Sequence, residues 1–192
     1  EGETPAAGLG IVIAKGLTEL MGGSIAAKSG REKGTVFRVE LAFDRREEKE
    51  KTEEESEALA GKRLLLAEDD RLCGEILCEL LEDETGRPVS IAANGRAALE
   101  MFESANGEYD AIIMDVQMPV MNGYEAARAI RRSGCGNAKT VPIIALTADA
   151  SEESARSAAD SGMNGCLAKP VNIDRLRKAV AAALKSLSVA YR

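Results

Sequence analysis

The sequence predicts an α/β fold: a doubly wound, five-stranded parallel sheet, preceded by an incomplete α+β segment of one helix and a hairpin. Three observations lead there. Between residues 62 and 188, short apolar runs alternate with amphipathic stretches, and each pair of parallel strands needs a crossover, usually a helix. The runs are almost continuously apolar, as in strands covered on both faces. Polar residues close several of them, at positions that would be strand carboxyl ends, where open parallel sheets bind ligands.

The elements follow in order. Gly8-Leu9-Gly10 precedes a helical pattern from Ile11 to Met21, which ends at Gly22-Gly23. Two alternating runs, Ser24–Ser29 and Thr35–Leu41, flank the polar stretch Gly30–Gly34 and predict a hairpin. Residues 44–61 carry eight acids against four bases and bury too little to fold alone, so they read as a charged linker. Strands are expected near 63–67, 88–92, 109–114, 142–146 and 164–168. Helices are expected near 71–85, 95–104, 122–133, 151–161 and 172–187. Leu72, Ile76, Leu77, Leu80 and Leu81 recur at helical spacing in the first helix of that set; Leu176, Val180, Ala183, Leu184 and Leu187 do so in the last. Asn94-Gly95, Asn106-Gly107 and Asn122-Gly123 punctuate as turns or caps. Ser151 followed by Glu153 and Ser154 suits a helix start.

Composition narrows the function classes. Of the 192 residues, 45% are hydrophobic and 30% charged, enough apolar material for a core. A net charge of -7, much of it in the linker, argues against nucleic acid or an anionic membrane as partner. No apolar stretch approaches the roughly 20 residues of a spanning helix, and no signal peptide is evident. A cytoplasmic setting is expected. Cys73, Cys78, Cys135 and Cys166 show no CxxC spacing, and there is no histidine. Zinc is therefore disfavoured and reduced thiols are expected. A Ser-His or Cys-His nucleophile, or a phosphohistidine within these residues, is excluded.

The run endings carry the chemistry. Leu64-Leu65-Leu66-Ala67 ends in Glu68-Asp69-Asp70, and Ala111-Ile112-Ile113-Met114 ends in Asp115. Val141–Leu146 ends in Thr147, and Cys166-Leu167-Ala168 in Lys169-Pro170. Taken singly, each has a structural explanation: a helix-capping Asp, a strand-end hydroxyl, a solvated lysine. Together they bring carboxylates, a hydroxyl and an ammonium to one crevice. Packed carboxylates repel and call for a cation, and hard oxygen ligands suit Mg2+ or Mn2+. A carboxylate can accept a phosphoryl group as an acyl phosphate. The cation and lysine would neutralise its oxygens, with the hydroxyl adding a hydrogen bond.

Residues 62–188 resemble the receiver domain of two-component response regulators. The matching motifs are Leu64–Asp70, Ile112-Ile113-Met114-Asp115-Val116-Gln117-Met118-Pro119-Val120-Met121-Asn122-Gly123, Ile143–Ala148 and Ala168-Lys169-Pro170. The resemblance implies a flavodoxin-like fold, with Asp115 as phosphoacceptor. It places Glu68 and Asp69 in the acidic pocket, with Asp69, Asp115 and the Gln117 carbonyl on the metal. Thr147 and Lys169 would contact the phosphoryl group, the Lys169-Pro170 bond would be cis, and Gln117 and Asp149 would tune acyl-phosphate lifetime. Cys166 departs from the family, which usually places a Tyr or Phe there that reorients with the threonine. That switch is the element in doubt.

The first segment has its own resemblance. Gly8–Lys15, Glu19-Leu20-Met21-Gly22-Gly23 and Gly34-Thr35-Val36-Phe37 resemble the C-terminal end of a sensor histidine kinase ATP-binding domain. Gly8 and Gly10 would belong to its second glycine box, with Ala6 where a further glycine is usual. The asparagine-bearing Mg2+ helix, the adenine-binding box and the phosphoaccepting histidine segment are missing, so nucleotide binding by this piece is not expected. Residues 1–43 would then be a kinase-domain remnant, 44–61 a linker and 62–188 the receiver, as at the end of a hybrid sensor histidine kinase. The expected function is phosphorelay: a phosphoryl group passes from a phosphohistidine to Asp115, with a kinase domain or a histidine phosphotransfer protein as partner. The parent protein would be the enzyme and could be membrane-anchored, while this chain would show at most slow autophosphatase activity. The short tail after the last helix predicts no DNA-binding output. One alternative is an interaction module or phosphate sink regulating its kinase. Another is an Asp-nucleophile phosphohydrolase, disfavoured because Asp115-Val116-Gln117 lacks that class's second aspartate.

Overall fold

A computed structural model describes residues 9–30, 34–43, 59–149 and 151–190. The chain divides into two compact units, Glu1–Lys49 and Glu50–Arg192.

In the first unit, α1 (Leu9–Leu20) is followed by β1 (Ser24–Gly30) and β2 (Gly34–Glu40). The strands pair antiparallel from Ser24 opposite Glu40 to Gly30 opposite Gly34, giving the expected hairpin. Gly10 is the second residue of α1; Gly8 and Ala6 lie outside the described residues. This unit leaves apolar side chains in water: Ile11, Val12, Ile13, Leu17, Leu20 and Met21 of the helix segment are all exposed. Among its described side chains Thr18 is buried, its hydroxyl donating to the Ala14 carbonyl at 2.7 Å.

The second unit holds β3 (Leu64–Ala67), α2 (Arg71–Thr85), β4 (Ser90–Ala92), α3 (Gly95–Ser104), β5 (Ala111–Asp115), α4 (Gly123–Arg132), β6 (Ile143–Thr147), α5 (Glu152–Asp160), β7 (Gly165–Ala168) and α6 (Ile173–Ala190). All five strands are parallel, in the order β4-β3-β5-β6-β7. Successive side chains of a strand point to opposite faces, and the core divides accordingly. Leu65, Ala67, Ile112, Met114, Ile143 and Ala145 face one layer with α3 and α4. Leu64, Leu66, Ile113, Ile144 and Leu146 face the other with α2 and α6. Leu187 of the expected apolar stripe lies where side chains are not described.

Helix starts follow local chemistry. Asp70 caps α2 by accepting from the Cys73 amide at 2.8 Å. Asn94 caps α3 through the Ala97 amide. Asn122 and Glu125 close a reciprocal capping box on α4, and Ser151 caps α5. Each satisfies backbone donors that a helix's first turn leaves open. At the far end of α2, Gly86 adopts φ +65° and donates to the Glu82 carbonyl, a conformation that glycine takes without steric cost.

The expected linker needs correction at its end. Residues 44–58 lie outside the described residues, but Leu59 is fully buried in the core layer beneath α2 and α6. Gly61 donates to the Thr85 carbonyl at 2.8 Å and Lys62 to the Leu59 carbonyl at 3.0 Å. A lone leucine among charges has no periodicity, so its burial was not legible from the pattern. The expected strand near 88–92 contracts to Ser90–Ala92.

Candidate functional site

The sheet register builds the site. β3 and β5 are adjacent, with Ala67 beside Met114, so Glu68 and Asp69 emerge next to Asp115. β6 and β7 then add Thr147, opposite Ala168, and Lys169 one residue on. Backbone bonds fix these ends: Glu68 N–H to the Ala92 carbonyl (3.0 Å), Val116 N–H to Leu146 (2.9 Å) and Lys169 N–H to Thr147 (2.7 Å).

Three carboxylates converge. One ligand oxygen from each of Glu68, Asp69 and Asp115 lies within 4.8 Å of the others. Glu68 and Asp115 are buried, whereas Asp69 is exposed. The Lys169 ammonium bridges the buried pair, 2.7 Å from Asp115 Oδ2 and 2.8 and 3.0 Å from the two Glu68 oxygens. Asp115 Oδ1 accepts the Gln117 amide at 3.0 Å. The Asp115 carboxylate is thus held at both oxygens, by a cation on one side and a backbone donor on the other.

The electrostatics follow from burial and charge. Burial raises the Glu68 carboxyl above its ordinary value, opposed by the Lys169 hydrogen bond and reinforced by the nearby Asp115 charge. Burial opposes the Lys169 charge, but hydrogen bonds to Asp115 and Glu68 outweigh it and the ammonium is held above its ordinary range. A single lysine facing three clustered carboxylates leaves a net negative pocket. This donor set fits a hard divalent cation, which takes carboxylate oxygens and keeps open positions for water or phosphate. Glu68, Asp69 and Asp115 could hold it.

The other expected residues arrive at the rim. Thr147 is buried, its hydroxyl accepting the Asp149 amide at 3.3 Å. Asp149 Oδ1 in turn accepts the Ser151 amide at 3.0 Å. Gln117 is exposed just beyond Asp115. The Lys169-Pro170 peptide is cis, as the resemblance implied. Cys166 is half-buried in β7 and packs on the α3–α4 core layer together with Tyr124. Burial, then the Asp149 charge, pushes its thiol up.

Two features had little sequence signal. Gly123 sits so close to Asp115 that a Cβ there would collide with the Asp115 carbonyl oxygen and lie 3.0 Å from Val116 Cα. The Asn-Gly pair announced a turn, but not which backbone it would touch. Asp70, expected within the acidic run, serves instead as the α2 cap, and the Cys73 amide holds its carboxyl below the usual range.

Comparison with known proteins agrees with the fold. Residues 64–181 match the response regulator receiver domain model. The chain is 32% identical over 189 residues to the virulence sensor protein BvgS of Bordetella bronchiseptica, covering 92% of this chain and 15% of that protein. It is 30% identical over 171 residues to the aerobic respiration control sensor protein ArcB of Escherichia coli, covering 88% and 21%. The chain therefore spans well under a third of these relatives' length. Among solved structures, it resembles the receiver domain of the sensor histidine kinase PA1611 of Pseudomonas aeruginosa, which has a magnesium ion in its active-site cleft. The TM-score is 0.57 and the identity 36%, covering 66% of this chain and 99% of that one. It also resembles a chain of the co-crystal of the Saccharomyces cerevisiae histidine phosphotransfer protein Ypd1 with the receiver domain of Ssk1, with TM-score 0.56 and 32% identity, covering 64% and 88%. With the family match spanning most of the parallel-sheet unit and the acidic crevice at its strand ends, the chain belongs to the response regulator receiver domain family.

Proposed function

We propose that this receiver takes a phosphoryl group from a phosphohistidine onto Asp115, in a step that needs Mg2+. The observation that carries the reading is the Lys169 ammonium 2.7 Å from Asp115 Oδ2, inside a cluster of three carboxylates. In the step, an Asp115 carboxylate oxygen bonds to phosphorus as the phosphorus–nitrogen bond of the donor imidazole breaks. The imidazole leaves with that electron pair, and Asp115 becomes an acyl phosphate. Bound Mg2+ would supply charge neutralisation to the phosphoryl oxygens, with Glu68, Asp69, Asp115 and the Gln117 carbonyl as its protein ligands. Lys169 neutralises a further oxygen. Thr147 supplies a hydroxyl at the rim, and Gln117 and Asp149 flank the approach of hydrolytic water.

The chain has no histidine, so the donor imidazole belongs to a kinase domain or phosphotransfer protein outside these residues. The first unit fits the end of a kinase ATP-binding domain, and the wider reading is a hybrid sensor histidine kinase. The BvgS alignment supports this because it covers 92% of the chain, well beyond the 64–181 match. A cytoplasmic position accords with the phosphohistidine donor, and no described helix is long and apolar enough to cross a membrane.

Incubation with acetyl phosphate and Mg2+ tests the acceptor. Mass spectrometry should show an acid-stable, base-labile phosphoryl adduct that maps to Asp115 and disappears in Asp115→Asn. An adduct that persists in that variant would overturn the assignment.

A further inference from the structure

Asparagine is a thermolabile residue, and the sequence holds four Asn-Gly pairs: Asn94-Gly95, Asn106-Gly107, Asn122-Gly123 and Asn164-Gly165. A glycine after asparagine has no Cβ to keep its backbone nitrogen away from the asparagine side chain. That nitrogen can attack the side-chain carbonyl carbon and expel the amide as ammonia. The fold treats the four pairs differently.

Three of the side chains are tied down. Asn94 Oδ1 accepts the Ala97 amide at 2.9 Å, and Asn122 Oδ1 accepts the Glu125 amide at 2.9 Å within its capping box. Asn164 Oδ1 accepts the Ile143 amide at 2.9 Å and Arg131 Nη2 at 3.0 Å. Each bond aims the side-chain carbonyl at a donor other than the following glycine, so attack must first break it. The Asn106 side chain is exposed, and among the described residues no hydrogen bond holds its amide. Asn106 follows the last turn of α3 at φ +50°, a left-handed conformation that asparagine tolerates better than most residues, and helix ends fray. The backbone nitrogens do not separate the pairs in this way. Gly107 N–H donates to the Phe102 carbonyl at 2.9 Å, Gly95 N–H to Met121 at 3.1 Å and Gly123 N–H to Val116 at 3.0 Å.

We propose that Asn106 is a spontaneous deamidation site of the folded chain, while Asn94, Asn122 and Asn164 are kept inert by the bonds their side chains make. The only co-reactant is water. The Gly107 nitrogen bonds to Asn106 Cγ as the Cγ–Nδ2 bond breaks, and the amide leaves as ammonia with that electron pair and the proton of the attacking nitrogen. Water then opens the five-membered imide. Opening at Cγ gives an aspartyl residue; opening at the Asn106 backbone carbonyl carbon gives an isoaspartyl linkage that runs through the side chain. The isoaspartyl form lengthens the backbone by one carbon where two loops interlock. A Cβ on Gly136 would collide with the Asn106 carbonyl oxygen, and one on Gly107 would lie 3.1 Å from the Asn137 backbone nitrogen. Asn137 in turn donates from Nδ2 to the Tyr109 carbonyl at 2.7 Å. The added length wedges the 133–140 loop away from the amino end of β5, whereas Asp115 closes the carboxyl end of that strand.

The test incubates the full chain in mildly alkaline buffer, folded and in urea, and maps both samples by peptide mass spectrometry. In urea all four pairs should convert at similar rates, because only local sequence then acts. In the folded chain Asn106 should convert at least fivefold faster than each of the other three, and its product should accept methyl groups from S-adenosylmethionine through an isoaspartyl methyltransferase. A smaller lead for Asn106 would overturn the assignment, as would a folded chain that keeps all four amides while the urea-treated chain loses them. The aged chain should melt at a lower temperature than Asn106→Asp, which carries the same charge on an ordinary backbone. Equal melting of the two would overturn the wedging of the loop.

Discussion

Replacing Lys169 with methionine isolates the electrostatics of the crevice. Methionine keeps much of the lysine volume but removes an ammonium that contacts Glu68 at 2.8 Å and Asp115 at 2.7 Å. Both carboxylate side chains are nearly inaccessible, at 1% and 6% exposure. Removing one partner of a buried ion pair typically costs about 3–5 kcal/mol. Lys169 itself is 30% exposed, so solvent screening reduces the expected cost to about 2–3 kcal/mol. Urea denaturation in EDTA would report this as a lower midpoint at unchanged slope. Mg2+ should reverse it. A ligand at a hundred times its Kd adds about 2.7 kcal/mol, comparable to the loss, and a divalent cation replaces the missing positive charge between the same oxygens. The variant should therefore gain more from Mg2+ than the unaltered chain gains. A loss below about 0.5 kcal/mol in EDTA, within the range of an ordinary surface substitution, would refute the reasoning, as would equal Mg2+ stabilisation of both proteins.

Further outcomes follow from other positions. Gly123→Ala drives a Cβ into the Asp115 carbonyl; overpacking of this kind costs about 1–3 kcal/mol, and acetyl phosphate labelling should fall with the urea midpoint. Full labelling at full stability would show that the loop yields freely. The Cys73 amide holds the Asp70 carboxyl below its ordinary value. A depressed carboxylate stabilises the fold above its unfolded pKa and loses that contribution as pH falls through the folded value. Asp70→Asn should therefore flatten the acid arm of stability below about pH 4, and an unchanged acid arm in urea titrations would contradict this. Phe102→Ala opens a cavity at a fully buried ring and should cost about 3–5 kcal/mol by urea denaturation; a loss under 1 kcal/mol would mean that the α3 layer collapses to fill it.

Much of the sheet unit was legible because its signals are local. Ile112, Ile113 and Met114 are apolar in succession since both sheet faces are covered, and a buried run of that kind has few other readings. Asn94, Asn122 and Ser151 announced helix starts because a side-chain acceptor satisfies amides only two or three residues away. The first segment was legible in outline for the same reason: the alternation in Ser24–Ser29 and Thr35–Leu41 reappears as a paired hairpin. Leu59 was not legible, because its burial depends on core partners such as Leu77, Leu81, Leu176 and Val180, which lie far from it in sequence. Nor was the Arg177–Glu84 contact, buried at 4% and 8% exposure between those helices, where the sequence shows only two charges.

The site divides along the same line. By itself, the sequence determined which residues stand at strand carboxyl ends: Glu68, Asp69, Asp115, Thr147 and Lys169. Parallel topology sends all such ends to one edge of the sheet, so the pattern alone brought them into one neighbourhood. Only the tertiary structure decided how they are used. It joined Lys169 to Glu68 across 101 positions of sequence, turned Asp70 from the cluster to the α2 amides, left Asp69 in solvent and held Val120 in a left-handed turn at the rim. Those outcomes depend on strand order and loop closure, which set distances between residues far apart in the chain, whereas propensity and periodicity act over only a few residues.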